Sequence, residues 1–412
     1  MTRSVEAGVR LAFVIGLGIS ITLAEAALLA LVALWLLQLR DPEFRATLRF
    51  PLAGPFLGFI VATLLAALFS ADIAGSLWAS KGLYLMLIFF VLVNTLRGPD
   101  AAEWLLGRLF LVMALVSLLG LLQVSPLCSP EPSWPLPLVN RLLKCSRARG
   151  FYSIYMTLAG VLTLVLLAFL PRLLVREPPR ARWELPAWIV TLGVLVLTYT
   201  RGAWLGFLAG MATLVPLVRG RRVLTVIGGS TLLLVLLVVG SLTVSSRLRG
   251  GNLADPTTVR ERLYMWQAGI ELFRLNPVTG IGVGQVKKLF PSYALPQAIK
   301  RSTSHLHNSP LQVLVERGLL GLGCWLWLWG AFFVRGLGIL RRTGPGQERE
   351  RALVSGSLAA IAGFLVGGLS EYNFGDAEVV MVAYAVMAVP FLVESALPGQ
   401  ESVASPPAHG GQ

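Results

Sequence analysis

The chain has 412 residues, 55% of them hydrophobic and only 14% charged, with a mean hydropathy of +0.73. Soluble domains carry roughly 25% charged residues, so this composition excludes an ordinary soluble globular fold. The formal net charge of +14 does not point to nucleic acid, because the arginines are spread among short loops with no basic tail and no interleaved aromatics.

Apolar runs recur from end to end, each long enough to approach or cross a hydrocarbon core about 30 Å thick. They are continuous rather than alternating, which predicts helices and not barrel strands. Twelve spans are predicted, at 11–22, 24–39, 52–70, 82–96, 104–124, 151–170, 187–200, 202–218, 223–243, 309–334, 353–370 and 377–394. The fold expected is all-α and polytopic. Arg3, Arg10 and the Ala24-Glu25-Ala26 step resemble a signal peptide with its cleavage site, but the apolar run continues to Leu39. Leu11–Leu39 and Ala187–Val218 are each too long for one helix and short for two. They are split at Thr22 to Glu25 and at Thr200-Arg201-Gly202. Short or broken helices of this kind often line a site.

The positive-inside rule supports the alternation. With the N-terminus in the cytoplasm, every even-numbered connection is basic. Arg40, Arg45 and Arg49 lie in one, Arg172, Arg176, Arg180 and Arg182 in another, and Arg219, Arg221 and Arg222 in a third. The chain then divides into helices 1–9 over 1–243, an outer loop over 244–308, helices 10–12 over 309–396 and a Ser/Pro/Gly-rich cytoplasmic tail over 397–412. Two outer segments run against the trend. Residues 125–150 carry Arg141, Lys144, Arg147 and Arg149, and the 244–308 loop carries Arg260 and Arg262 among others. A solvated face and an anion-binding task are equally good accounts of them. Cys128 and Cys145 share an outer loop, where an oxidising compartment permits a disulfide. No Cys or His spacing suggests zinc, and no metal or cofactor is expected.

The 244–308 loop has structure of its own. Thr258 and Glu261 have the spacing of a capping box, and Val259, Leu263, Trp266, Ile270 and Phe273 fall on one helical stripe ended by Asn276-Pro277. Gly280-Ile281-Gly282-Val283-Gly284 lacks the Lys and Ser/Thr of a nucleotide loop and is at most a backbone turn with amides free for an anion. Two of the three histidines, His305 and His307, close the loop. A histidine at an interface suits general-base chemistry, although a lone one is more often structural. Arg201 sits in an apolar hairpin, where an arginine has a buried partner or an anionic ligand. Arg262 can present a fork to phosphate oxygens.

These pieces resemble the O-antigen ligase/polymerase superfamily. They are Thr200-Arg201-Gly202-Ala203, Arg262 to Trp266, Asn276-Pro277 followed by Gly280 to Gly284, and His307-Asn308-Ser309 leading into Glu316-Arg317-Gly318-Leu319-Leu320-Gly321. The resemblance runs from Thr200 to about Glu378. It implies a GT-C-like membrane fold and an inverting, metal-independent glycosyltransferase of the bacterial inner membrane. That enzyme works at the periplasmic face and as a monomer. Its donor is an undecaprenyl-pyrophosphate-linked glycan, and for a ligase the acceptor is a lipid A-core sugar hydroxyl. It also implies His307 as base, with His305 a competitor two residues away. The pyrophosphate would lie on Arg201 and Arg262, with Arg147 and Arg149 beside it, and Arg260 and Glu371 are further candidates. A polymerase, a protein O-oligosaccharyltransferase and a secondary transporter are the rival readings. The absence of any visible internal repeat and the gathering of charge on one face weigh against transport.

Overall fold

The computed structural model describes residues 2–125, 128, 147–175, 181–217, 225, 228–240 and 256–397. Arg141, Lys144, the possible Cys128–Cys145 pairing, the basic loop after residue 217, residues 241–255 and the tail from Pro398 lie outside the described residues. Among the described residues every regular element is helical. Leaving aside the short helix Pro42–Ala46 and short 3-10 turns, the main helices in chain order are α1 (Thr2–Ile19), α2 (Ile21–Gln38), α3 (Ala53–Leu68), α4 (Ile73–Thr95, with a 3-10 segment over Ser80–Met86), α5 (Gly98–Val124), α6 (Tyr155–Phe169), α7 (Glu184–Leu197), α8 (Arg201–Leu217) and α9 (Gly228–Gly240). The loop helices α10 (Pro256–Leu275) and α11 (Val286–Tyr293) follow, then α12 (Ser309–Arg342), α13 (Glu348–Gly367) and α14 (Ala377–Glu394).

Twelve of these helices coincide with the predicted apolar runs. Seven are long and apolar enough to cross a membrane: α2, α4, α5, α6 with the turn that follows it, α12, α13 and α14. The helices α3, α7, α8 and α9 are apolar but shorter, and α1, with Arg3, Glu6 and Arg10 in its sequence, falls in neither group. The two predicted splits are real breaks. The first falls at Ser20, whose side chain caps α2 by accepting from the Leu23 amide at 3.3 Å. That is slightly earlier than expected, because a serine in extended backbone is a better cap than the threonine that follows. The second falls at Thr198 to Thr200, where Tyr199 adopts a left-handed φ of 54°.

The bundle centres on α14, buried from Val379 to Val393. Around it α8 and α13 approach unusually closely. Gly202, Gly206 and Gly210 repeat at four-residue spacing along α8, and a Cβ on Gly206 would lie 2.5 Å from the Gly363 carbonyl oxygen. Small residues one turn apart let backbones touch where lipid provides no hydrophobic drive. This contact locks the start of α8 beside the end of α13.

The connections sort to two ends. At one end Ser70 donates to the Ile281 carbonyl at 3.1 Å, Lys288 pairs with Asp72, and the 303–309 segment meets 369–373. At the other, Arg10 donates to the Thr95 carbonyl, Arg49 to the Phe391 carbonyl, and Arg349 and Arg342 pair with Asp100 and Glu394. Odd-numbered connections thus meet odd-numbered ones and even meet even, as an alternating bundle requires.

Candidate active site

The site is built on a broken helix. Gly318 interrupts α12 with φ 63° and ψ −167°, a region essentially restricted to glycine. The break frees backbone groups that must be paired inside an apolar bundle. The glycine-rich loop pairs them. Ile281 and Gly282 amides donate to the carbonyls of Val315 and Glu316 at 3.0 Å each, while Leu319 and Leu320 amides donate to Pro277 and Val278 at 2.9 and 3.2 Å. The Gly284 amide donates to the Glu316 carboxylate at 2.8 Å. The amides of Gly280, Ile281, Gly282 and Gly284, considered above for an anion, are therefore already occupied, and Gly280 to Gly284 is a dock for the break in α12.

The same dock holds the histidine loop. Glu316 accepts from Gln312 Nε2 at 2.9 Å, and Gln312 Oε1 accepts from the Leu306 amide at 2.8 Å. Trp266 of α10 donates its indole N–H to the Leu306 carbonyl at 3.0 Å. Leu306 is fully buried among Met265, Ala268 and Leu272. Asn308 caps α12 through the Leu311 amide and donates to the Leu369 carbonyl. Between these two fixed points His307 is held at a φ of 50°. A non-glycine residue there costs of order 1–3 kcal/mol and persists only where its surroundings over-determine it.

Glu371, in the short connection after α13, joins the pieces. Its Oε1 pairs with Arg262 Nη2 at 2.5 Å, and its Oε2 lies 3.2 Å from His307 Nδ1. All three side chains are partly buried. Ser309 anchors this connection by donating to the Glu371 carbonyl at 3.0 Å. A carboxylate on Nδ1 fixes the imidazole ring and, by accepting Nδ1–H, leaves Nε2 as the free acceptor. Arg201 opens α8 one residue before Gly202, whose backbone touches Ser370 and Glu371. It is exposed and has no ion pair among the described residues. A narrow cavity runs from Glu371 and Asn373 past Thr200 and Thr163 between α6, α8 and α13.

His305 packs edge-on against His307, with ring centroids 4.3 Å apart. Burial first, then the neighbouring His307, brings its pKa from the ordinary 6.5 down to about 4. It makes no ion pair with Glu371 among the described contacts. Arg147 lies over the Tyr155 ring at 4.5 Å and the Tyr199 ring at 6.0 Å, beside the start of α8. Arg149 donates to the Ser153 carbonyl at 3.4 Å, and burial lowers its pKa. Arg260 is exposed on α10 and is not brought to Glu371. The capping box does not form as expected. Helix α10 starts at Pro256, and Glu261 instead accepts the Ile299 and Lys300 amides at 3.0–3.1 Å, which hold its carboxyl below the usual range. The buried face of α10 is Glu261, Met265, Ala268 and Leu272, so Val259, Leu263 and Ile270 of the predicted stripe face outward.

Residues 186–326 match the family model described as O-antigen ligase. The resemblance seen in the sequence is thus shown over this segment, which runs from α7 into α12 and contains Arg201, Arg262, His305 and His307. The match covers about a third of a chain that has several helices long and apolar enough to cross a membrane. A stretch of 80 residues is also 29% identical to "Exopolysaccharide production protein ExoQ" of Rhizobium meliloti (strain 1021). That match covers 18% of each chain, so the chain aligns with only a minor part of that relative. Glu371, a further candidate in the sequence, lies beyond the matched segment.

Proposed function

We propose that this protein transfers a glycan from undecaprenyl pyrophosphate to a sugar hydroxyl at the outer face of the inner membrane, by inversion and without a metal. The observation that carries the reading is the Glu371 carboxylate shared between Arg262 and His307. The acceptor oxygen attacks the anomeric carbon of the donor sugar as the bond to pyrophosphate breaks. The electron pair leaves with the pyrophosphate, and the hydroxyl proton passes to His307 Nε2. Glu371 offsets the positive charge that forms on the imidazole. Arg201 and Arg262 take the phosphate oxygens, Arg262 by exchanging its carboxylate partner for the donor, and Arg147 and Arg149 extend the cationic rim. Placement of the site outside rests on twelve spans with the basic connections inside.

The acceptor we favour is a lipid A-core sugar, which makes the protein an O-antigen ligase of lipopolysaccharide assembly. A polymerase acting on a second lipid-linked chain is the alternative, supported by the similarity to an exopolysaccharide production protein. Loss of the gene decides between them. Ligase loss leaves polymerised glycan on the lipid carrier, whereas polymerase loss leaves single repeats. For the chemistry, His307→Ala in a purified transfer assay should lower turnover by about 10²–10⁴-fold. Near-normal transfer by His307→Ala, with His305→Ala inactive, would move the base to His305. Reporter fusions that put 244–308 in the cytoplasm would remove the mechanism.

A further inference from the structure

The end of the bundle opposite Glu371 holds a second, unassigned cavity. It is an open groove of about 550 Å³ between α1, the end of α4 and α5, lined by Gly8, Leu11 and Leu96 with Trp104, Arg10 and Arg108. Its walls are otherwise apolar, and two of the helices around it, α4 and α5, are long and apolar enough to cross a membrane.

The charges around it do not balance. Arg10 is paired with Glu6, and Gln38 Nε2 donates to the same carboxylate at 3.0 Å. Asp100 and Glu103, the acidic residues of the first turns of α5, are both engaged by Arg349, and Glu103 also by Arg172. Arg108 is left exposed on the groove, with no ion pair or hydrogen bond among the described residues. An arginine within a membrane helix is costly unless it meets a partner or reaches the headgroups. Snorkelling alone needs no cavity and no neighbour. Here an apolar trough of ligand size leads to the guanidinium. Gly8 lines the trough, and a Cβ added there would meet nothing within 4 Å.

We propose that this groove binds one anionic phospholipid, its phosphate on Arg108 and its acyl chain along Leu11 and Leu96. The planar guanidinium matches phosphate oxygens, Trp104 suits the level of the headgroups, and the apolar walls suit a chain. The positive charge left on Arg108 selects an anionic over a zwitterionic headgroup. This site does not depend on the glycosyl-transfer reading.

Native mass spectrometry of the full chain in detergent, titrated with phosphatidylglycerol or phosphatidylcholine, tests it. One phosphatidylglycerol should be retained at least about tenfold more tightly than phosphatidylcholine, because both offer a phosphate to Arg108 but the choline cation cancels the net charge of the second; tenfold is about 1.4 kcal/mol. Arg108→Gln should abolish that preference and Arg108→Lys should keep most of it. Gly8→Phe fills open space and leaves Arg108 in place, so it should lose the bound lipid while the protein stays folded. It decides the matter if Arg108→Gln fails to fold. Equal retention of both lipids overturns the proposal. So does a Gly8→Phe protein that keeps its phosphatidylglycerol, which is the outcome for simple snorkelling, and so does displacement of the lipid by millimolar inorganic phosphate.

Discussion

Replacing Glu371 by glutamine should separate orientation of the base from binding of the donor. The carboxylate makes two charge-assisted contacts, 2.5 Å to Arg262 and 3.2 Å to His307 Nδ1. A glutamine keeps the shape and still accepts from Arg262 through its oxygen. It no longer favours the Nδ1–H tautomer, because its amide can also donate to an unprotonated Nδ1. It also removes the negative charge that offsets a cationic imidazole. Losing one charge-assisted hydrogen bond costs about 1.5–3 kcal/mol, or about 10- to 150-fold if the loss is felt in the transition state. We therefore expect kcat to fall by about 10- to 150-fold. The donor KM should stay level or fall, since Arg262 is released toward phosphate. Steady-state transfer from a lipid-linked donor by purified protein measures both, and a thermal melt checks that the bundle is intact. Unchanged kcat would refute the orienting role of Glu371. A large rise in KM at constant kcat would show instead that the Arg262–Glu371 pair shapes the donor site as it stands.

Transfer should survive EDTA and be lost in Arg201→Ala and Arg262→Ala, with lysine at either position a poor substitute for a bidentate fork; restoration of a chelated enzyme by Mg²⁺ or Mn²⁺ would contradict this. Gly318→Ala should destabilise the protein by at least about 1–3 kcal/mol through backbone strain, because φ is 63° and the new Cβ would lie 2.2 Å from the Val278 carbonyl oxygen; a melt of the purified variant checks it. His305 gives a pH dependence of definite sign. It is held neutral in the folded loop down to about 4, against an ordinary 6.5. Unfolded loop therefore binds more protons between those values, and stability present above pH 6.5 is lost as pH falls toward 4. Limited proteolysis of residues 294–308 should speed up over that window, and His305→Gln should flatten the change.

The apolar runs and both helix breaks were legible because hydrophobic length and a polar interruption are local signals. Twelve helices lie where twelve runs were read, while length and apolarity alone qualify seven as crossing. Arg201, Arg262 and His307 stood out because cations and histidines are rare against an apolar background. The glycine loop was misread for a physical reason. Its free amides are free only in the isolated segment, and their partners, the carbonyls at the Gly318 break, lie more than thirty residues further along the chain. The outward turn of Val259, Leu263 and Ile270 has a similar origin. A stripe defined by hydrophobicity identifies an apolar face but not whether protein or lipid covers it.

Glu371 is only a further candidate in the sequence, because its contact with His307 depends on packing across 64 residues of chain. A signal for it was nonetheless present. Gly363, Gly367 and Glu371 follow the same four-residue step that Gly202, Gly206 and Gly210 follow on α8. Stripes of small residues at that spacing identify helices whose backbones touch. The end of one such stripe must then lie beside the end of the other. Arg201 immediately precedes Gly202, and Glu371 is the next step after Gly367, so the packing that joins α8 to α13 also sets the start of α8 beside the connection whose Glu371 contacts His307. The glycine packing and the placement of these side chains go together. A bulky residue at Gly206 would meet the Gly363 carbonyl and push Arg201 away from the His307–Glu371 pair without touching any of the three.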